Sequence, residues 1–84
     1  MKPTYNVTAI YDDCRISVET NSADTAICAL LEHAENGCVV DVVNNYTGEV
    51  LATANHDESY ITEEWSLMIL GWLMKTAWES ESEI

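Results

Sequence analysis

Residues 5–19 read YNVTAIYDDCRISVE, and apolar and polar side chains alternate on both sides of the pair Asp12-Asp13. Alternation with a period of two is typical of a strand that has one buried face. If Asp12-Asp13 is a two-residue turn, Ala9 lies opposite Ile16 and the apolar side chains of both strands share one face. The stretch therefore predicts an antiparallel hairpin. A slightly longer loop stays open as an alternative, because Asp-Asp lacks the glycine that such turns prefer.

The rest of the chain predicts a helix, a second hairpin and a second helix. The first helix has Asn21 or Ser22 as its N-cap and stops at Gly37. Further elements are strands over 38–44 and 49–54, a turn over 45–48, and a helix that Thr62 caps and that runs to about Trp78. The expected fold class is α+β, in the order ββαββα, with a four-stranded, mainly antiparallel sheet and two helices packed on one face.

The length of 84 residues allows one domain, because a chain this short cannot build two cores. We expect that domain to span residues 1–78 and to be followed by a short acidic C-terminal tail over 79–84. Acidic residues after Trp78 oppose the helix dipole, so we expect the tail to fray rather than to extend the helix.

Alternation in the second hairpin predicts which side chains face the helices. We expect Val40 and Val42 to face them together with Val50 and Ala52, while Leu51 lies on the other face of the sheet.

The charge is strongly one-sided, with 15 Asp and Glu against 3 Lys and Arg, a net charge of −12. The three cations, Lys2, Arg15 and Lys75, are too few and too scattered to neutralise several phosphates, so direct nucleic-acid binding is excluded. The three cysteines show no metal-binding or disulfide spacing. The N-terminus lacks the continuous apolar stretch of a signal peptide, and the most hydrophobic segment, 65–74, is about half the length of a membrane span. These features indicate a cytoplasmic protein that does not enter a membrane.

Catalytic and cofactor motifs are absent from the sequence. No dinucleotide fingerprint, phosphate loop, nucleophile elbow or zinc-protease motif occurs. His33 between Glu32 and Glu35, and His56 beside two acids, lack a third spaced ligand. We expect no enzyme, no cofactor and no metal.

The last helix is apolar on two sides. One side carries Trp65, Met68, Ile69, Trp72 and Leu73, and the opposite side carries Leu67, Leu70, Met74, Ala77 and Trp78. A two-layer domain of this size covers only one side of such a helix. The first helix or the loops could cover the second side. Otherwise a homodimer through the helix of about 62–78, or a foreign protein, would cover it.

The carboxylates form separate clusters along the chain, and they could act as a decoy for nucleic acid. Twelve net charges match about six or seven base pairs, roughly 20 Å of duplex. Asp12, Asp13 and Glu19 lie on the first hairpin, and Glu79, Glu81 and Glu83 lie in the tail. The residues predicted to bind a protein partner with a basic groove are Asp24, Glu32, Glu35, Asp57, Glu58, Glu63, Glu64, Trp72 and Trp78. The alternative is that the charge only keeps the protein soluble.

In size, acidity and lack of catalytic motifs, the chain is similar to the small inhibitors that phages and mobile elements direct against host nucleases, including anti-CRISPR proteins and DNA mimics. The likeness covers composition alone. It implies an inhibitor that occupies a cationic groove of a nuclease or another nucleic-acid-binding protein. The alternative is a self-associating structural or accessory protein of a phage or mobile element that dimerises through its C-terminal helix.

Overall fold

The computed structural model describes residues 4–82, with side chains described as far as Glu79. Its elements are β1 Tyr5–Ile10, β2 Arg15–Thr20, α1 Ala23–Glu35, β3 Val39–Asn44, β4 Val50–Ala54 and α2 Glu63–Ser82. The strands form one antiparallel sheet in the spatial order β2-β1-β3-β4. The predicted α+β class and the ββαββα order are therefore confirmed. Residues 83 and 84 of the predicted acidic tail lie outside the described residues.

The first hairpin has the register that its alternation predicts. Ala9 pairs with Ile16, and the backbone N–H of Tyr11 donates to the carbonyl of Cys14 at 2.8 Å, which closes the turn at Asp12-Asp13. β1 then pairs with β3 on its other side, so α1 carries the chain across β1 from one of its neighbours to the other.

The ends of α1 are fixed by local hydrogen bonds. The Ser22 hydroxyl accepts from the N–H of Thr25, which satisfies one of the free donors at the helix start. At the other end, Gly37 has a φ of +83°, and the N–H of Cys38 returns to the carbonyl of His33. This is a Schellman motif, in which a left-handed glycine ends the helix and turns the chain into β3.

The core lies between α1 and the central strands. The buried apolar side chains are Val7, Ala9, Ala26, Ile27, Leu30, Cys38, Val40, Val42, Leu51, Ala52 and Trp65. Burial of a side chain the size of Ile27 stabilises the fold by about 1.5–3 kcal/mol. The core thus depends on α1 and the sheet, and among the side chains of α2 described, over 63–79, Trp65 alone is buried.

The second hairpin departs from simple alternation. The pairing of β3 with β4 shifts between Val42 and Val43, which marks a bulge or irregularity in the ladder. As a result Leu51 is 6% exposed and belongs to the core, whereas Val50 is 40% exposed. The predicted facing of Val50 and Leu51 is wrong, because an extra residue in one strand displaces every side chain beyond it relative to a strict period of two.

The sheet has one covered edge and one open edge. The N–H of Thr53 donates to the carbonyl of Tyr60 at 2.7 Å, and the N–H of Thr62 donates to the carbonyl of Leu51 at 3.0 Å. The segment before α2 therefore runs along β4 and satisfies its outward backbone groups. β2, at the opposite margin, is an edge strand whose side chains are mostly exposed.

α2 starts as predicted and ends later. The Thr62 hydroxyl accepts from the N–H of Trp65 at 3.3 Å, and the indole of Trp65 packs edge-on against the ring of Tyr5 with centroids 5.4 Å apart. The helix continues to Ser82, so the expected end at about Trp78 is wrong. No glycine or proline follows Trp78 before that point, and glutamate is a good helix former. Neither helix within residues 4–82 combines the length and the hydrophobicity that a membrane span requires.

Candidate partner-binding surfaces

Three segments that are far apart in sequence meet at one end of the sheet. The β1–β2 turn lies beside the end of α1, because the Tyr11 hydroxyl and Nδ1 of His33 are hydrogen-bonded at 2.6 Å. The loop after β4 is tied to the same helix end, because the side-chain amide of Asn55 donates to the carbonyls of Ala34 and Cys38 at 2.9 and 2.8 Å. These contacts place the polar tips of all three segments on a common surface.

That surface carries five carboxylates, and we call it the acidic end. Its members, all exposed, are Asp12, Asp13, Glu35, Asp57 and Glu58. Arg15, at the start of β2, is the cation nearest to it along the chain. The acidic end therefore has a net negative charge and is open to solvent.

The acidic residues predicted to bind a partner do not form one surface. The structure brings Glu35 to the end of the sheet that also carries Asp57 and Glu58, and Glu32 is exposed one turn earlier on α1. Asp24, in the first turn of α1, is about 16 Å away from Glu35 along the helix axis.

Glu63 and Glu64 lie at the opposite end of the sheet from the acidic end. They belong to the first turn of α2, which begins beside Tyr5 at the start of β1. In contrast, Asp12 and Asp13, which the sequence groups with the first hairpin, lie at the acidic end. Asp12 and Asp13 lie at the acidic end because β1 pairs with β3, and this pairing cannot be predicted from the local sequence.

Each histidine is hydrogen-bonded to a residue far from it in sequence rather than to its acidic sequence neighbours. His33 pairs with Tyr11, and its ring lies edge-on to the tyrosine with centroids 5.8 Å apart. Nε2 of His56 lies 2.6 Å from Oδ1 of Asp41, on the sheet face away from α1. Among the described residues, no three His, Cys, Asp or Glu side chains are placed to hold a metal ion.

The neighbours of Tyr11 shift the pKa of its hydroxyl. The amide of Asn36, which donates to the hydroxyl, lowers its pKa. Desolvation and the neighbouring thiols of Cys38 and Cys14 raise it by more, so the pKa of Tyr11 lies above its ordinary value. The phenol therefore stays protonated at neutral pH and keeps its structural hydrogen bond to His33.

The face of the sheet away from the helices is held by polar contacts. The Asn6 amide donates to the Thr8 hydroxyl at 2.9 Å, and that hydroxyl is 2.9 Å from the hydroxyl of Ser17. Thr8 also lies opposite Asp41 in the β1–β3 pairing. Hydroxyl and amide side chains thus satisfy one another on this face.

The two sides of α2 have different surroundings. Trp65 is 3% exposed, and Met68, Ile69 and Trp72 are half-buried against the core. The opposite side, which we call the outer seam, consists of Leu67, Leu70, Met74, Ala77 and Trp78, all of them exposed. Of the two tryptophans predicted to contact a partner, Trp72 thus packs partly inside the protomer, while Trp78 is 72% exposed.

Comparison of the chain with protein-family models, with curated proteins and with solved structures finds no match. A function for this protein therefore has to be inferred from its two surfaces, the acidic end and the outer seam.

Proposed function

We propose that this protein is a small acidic binding module that inhibits a nucleic-acid-binding protein, such as a nuclease, by occupying its cationic groove with the acidic end. The observation that carries the proposal is the convergence of five carboxylates from three separate segments on one end of the sheet. The likeness in size and acidity to the inhibitors that phages and mobile elements use against host nucleases supports the same function.

The concentration of charge at the acidic end supports this proposal. The β1–β2 turn and the loop after β4 leave the sheet near opposite margins, about 14 Å apart across four strands. Glu35 adds a carboxylate from the end of α1, in the helix layer. Five of the 15 acidic residues therefore lie at one end of the domain, where they could meet several cationic side chains of a groove.

Binding through the acidic end should depend on the salt concentration. Each exposed ion pair contributes only about 0–1 kcal/mol, so several pairs have to form together. Such contacts weaken as salt screens them, and they accelerate association more than they lengthen the life of the complex. Inhibition should therefore be strongest at low ionic strength.

Competition with DNA tests the proposal. The purified protein is added to a panel of nucleases that have cationic grooves, CRISPR effector nucleases among them, and both DNA binding and cleavage are measured. We expect inhibition of at least one nuclease, with a fall of about tenfold or more when the acidic end is neutralised, since five surface pairs at a few tenths of a kcal/mol each sum to that factor. The variant carries Asp12→Asn, Asp13→Asn, Glu35→Gln, Asp57→Asn and Glu58→Gln.

A second variant with the same net charge is the control. It carries Glu19→Gln, Asp24→Asn, Glu49→Gln, Glu63→Gln and Glu64→Gln, which removes five charges away from the acidic end. We expect it to inhibit like the natural chain. Equal loss in both variants would show that only the total charge matters, and a lack of inhibition by the natural chain across the panel would refute the proposal.

A further inference from the structure

We infer that the outer seam of α2 is the surface through which two copies of this chain form a dimer. This inference goes beyond the proposed function and does not rest on it, because the acidic end takes no part in the contact. It depends on the spacing, exposure and charge of the side chains on α2.

The spacing of the seam is that of a helix that pairs with another helix. Leu67, Leu70, Met74 and Ala77 follow one another at intervals of three, four and three residues. Such spacing places the four side chains in one line along the helix, as at the a and d positions of a coiled coil. Trp78 extends the line at its end, and the helix is long enough to present all of it, because α2 spans Glu63–Ser82.

The exposed area matches what a symmetric contact needs. The four large seam side chains, Leu67, Leu70, Met74 and Trp78, are each between about half and three quarters exposed. With full side-chain areas of about 200 Å² they leave on the order of 500 Å² of apolar surface, within the range of the largest patch on a typical monomer. A pair of copies would bury about 1,000 Å² in total, which is the smallest area expected of a specific interface.

The charge of this stretch favours a second copy over a basic groove. Residues 67–78 contain no Asp or Glu and a single cation, Lys75, although the chain has 15 carboxylates. A cationic groove would gain nothing from contact with such a surface, whereas an identical apolar surface is complementary to it. Gly71 lies beside the seam, and a Cβ built there meets no atom within 4 Å, so the backbone of a partner helix can approach closely at this point.

Analytical ultracentrifugation of the purified full chain, over about 1 to about 500 µM, tests the inference. We expect a reversible dimer with a dissociation constant in the micromolar range, in keeping with an interface near the lower size limit. Raising the sodium chloride concentration should tighten the dimer, because each protomer carries a net charge of −12 and screening weakens the repulsion. This dependence is opposite in sign to the one expected for inhibition of a nuclease.

Two seam variants and one control locate the contact. Leu70→Glu and Trp78→Glu each place a charge in the seam, and each should raise the dissociation constant about 30-fold or more. Ile16→Glu changes a side chain on β2 that is 40% exposed and lies outside the seam, and it should dimerise like the natural chain. Circular dichroism confirms that each variant is folded. If Leu70→Glu does not fold, Trp78→Glu decides, because that side chain is 72% exposed.

Three results would overturn the inference. The natural chain could stay monomeric over the whole concentration range, which would leave the seam to a different molecule. Both seam variants could dimerise like the natural chain. Ile16→Glu alone could separate the copies, which would place the interface at the open edge of β2. Neutralising the acidic end should not weaken the dimer, so failure of this inference can be told apart from failure of the proposed function.

Discussion

α2 beyond Trp72 and the body of the domain, formed by α1 and the four strands, both carry large apolar side chains but bury them to different extents. In the body, Ile27 of α1 and Val40 of β3 are almost fully buried against each other's layer. In α2, every described side chain from Leu73 to Glu79 is exposed. An isolated helical segment this short is marginal in water. Hydrophobic composition alone therefore does not define a core, and within the protomer this part of α2 has little tertiary packing to stabilise it.

The largest effect should come from removing a tryptophan from each region. Trp65→Ala should lower the free energy of unfolding by about 3–5 kcal/mol, because it empties a buried site against Tyr5. Trp78→Ala should change it by less than about 0.5 kcal/mol, because Trp78 is exposed in the protomer. Urea unfolding, at protein concentrations low enough to keep the chain monomeric, measures both.

The same pair also tests the boundary between the two regions. Equal destabilisation by both substitutions would mean that Trp78 belongs to the core of the protomer. At high protein concentration the dimer adds stability that depends on concentration. Trp78→Ala should therefore raise the dissociation constant of the dimer more than Trp65→Ala does.

A glycine in each region should give effects of opposite sign. Gly37 has a φ of +83°, so Gly37→Ala forces a left-handed alanine and should cost about 1–2 kcal/mol. Gly71 lies inside α2 with open space around its Cβ position, so Gly71→Ala should stabilise the monomer by about 0.5–1 kcal/mol. Thermal and urea unfolding of the two variants check the signs. A loss of stability in Gly71→Ala would show that the helix is packed closely there within the protomer.

Much of the fold could be predicted from the sequence, because it follows from local patterns. Period-two alternation and a two-residue turn were enough for the register of Ala9 against Ile16. The stop of the first helix at Gly37, the turn over 45–48 and the cap at Thr62 were predicted from single residues and their neighbours, and Gly37 and Gly48 both have a positive φ.

The features that the sequence did not reveal are set by contacts between distant segments. The bulge near Val43 interrupts an alternation that looks regular in the sequence, so Leu51 was assigned to the wrong face. The order of the strands depends on the pairing of β1 with β3 across the intervening helix. The acidic end depends on that same pairing, which explains why Asp12 and Asp13 were grouped apart from Glu35. The periodicity of α2 indicated two apolar sides, but it did not indicate that the side with Trp65 is the one that packs on the core.

A threonine in each region should also give effects of opposite sign, and the effect in α2 should be small. Thr8 is buried, and its hydroxyl is hydrogen-bonded to Asn6 and Ser17, so Thr8→Ala should cost about 1–2 kcal/mol through the lost hydrogen bonds and packing. The Thr76 hydroxyl only donates to the carbonyl of Trp72, one turn earlier in α2. That carbonyl already has a hydrogen-bond partner in the helix backbone, and alanine has a higher helix propensity than threonine. Thr76→Ala should therefore stabilise the monomer by a few tenths of a kcal/mol.

Urea unfolding resolves the Thr8 effect, and amide hydrogen exchange of residues 73–79 resolves the Thr76 effect. Exchange there should be slower in Thr76→Ala than in the natural chain, while the amides of β1 and β3 should not change. If β1 and β3 also exchange more slowly, α2 beyond Trp72 unfolds together with the body rather than separately from it. In that case the exposed half of the helix would be coupled to the core through its inner side, and Trp72, half-buried at the junction, would be the residue that transmits the coupling.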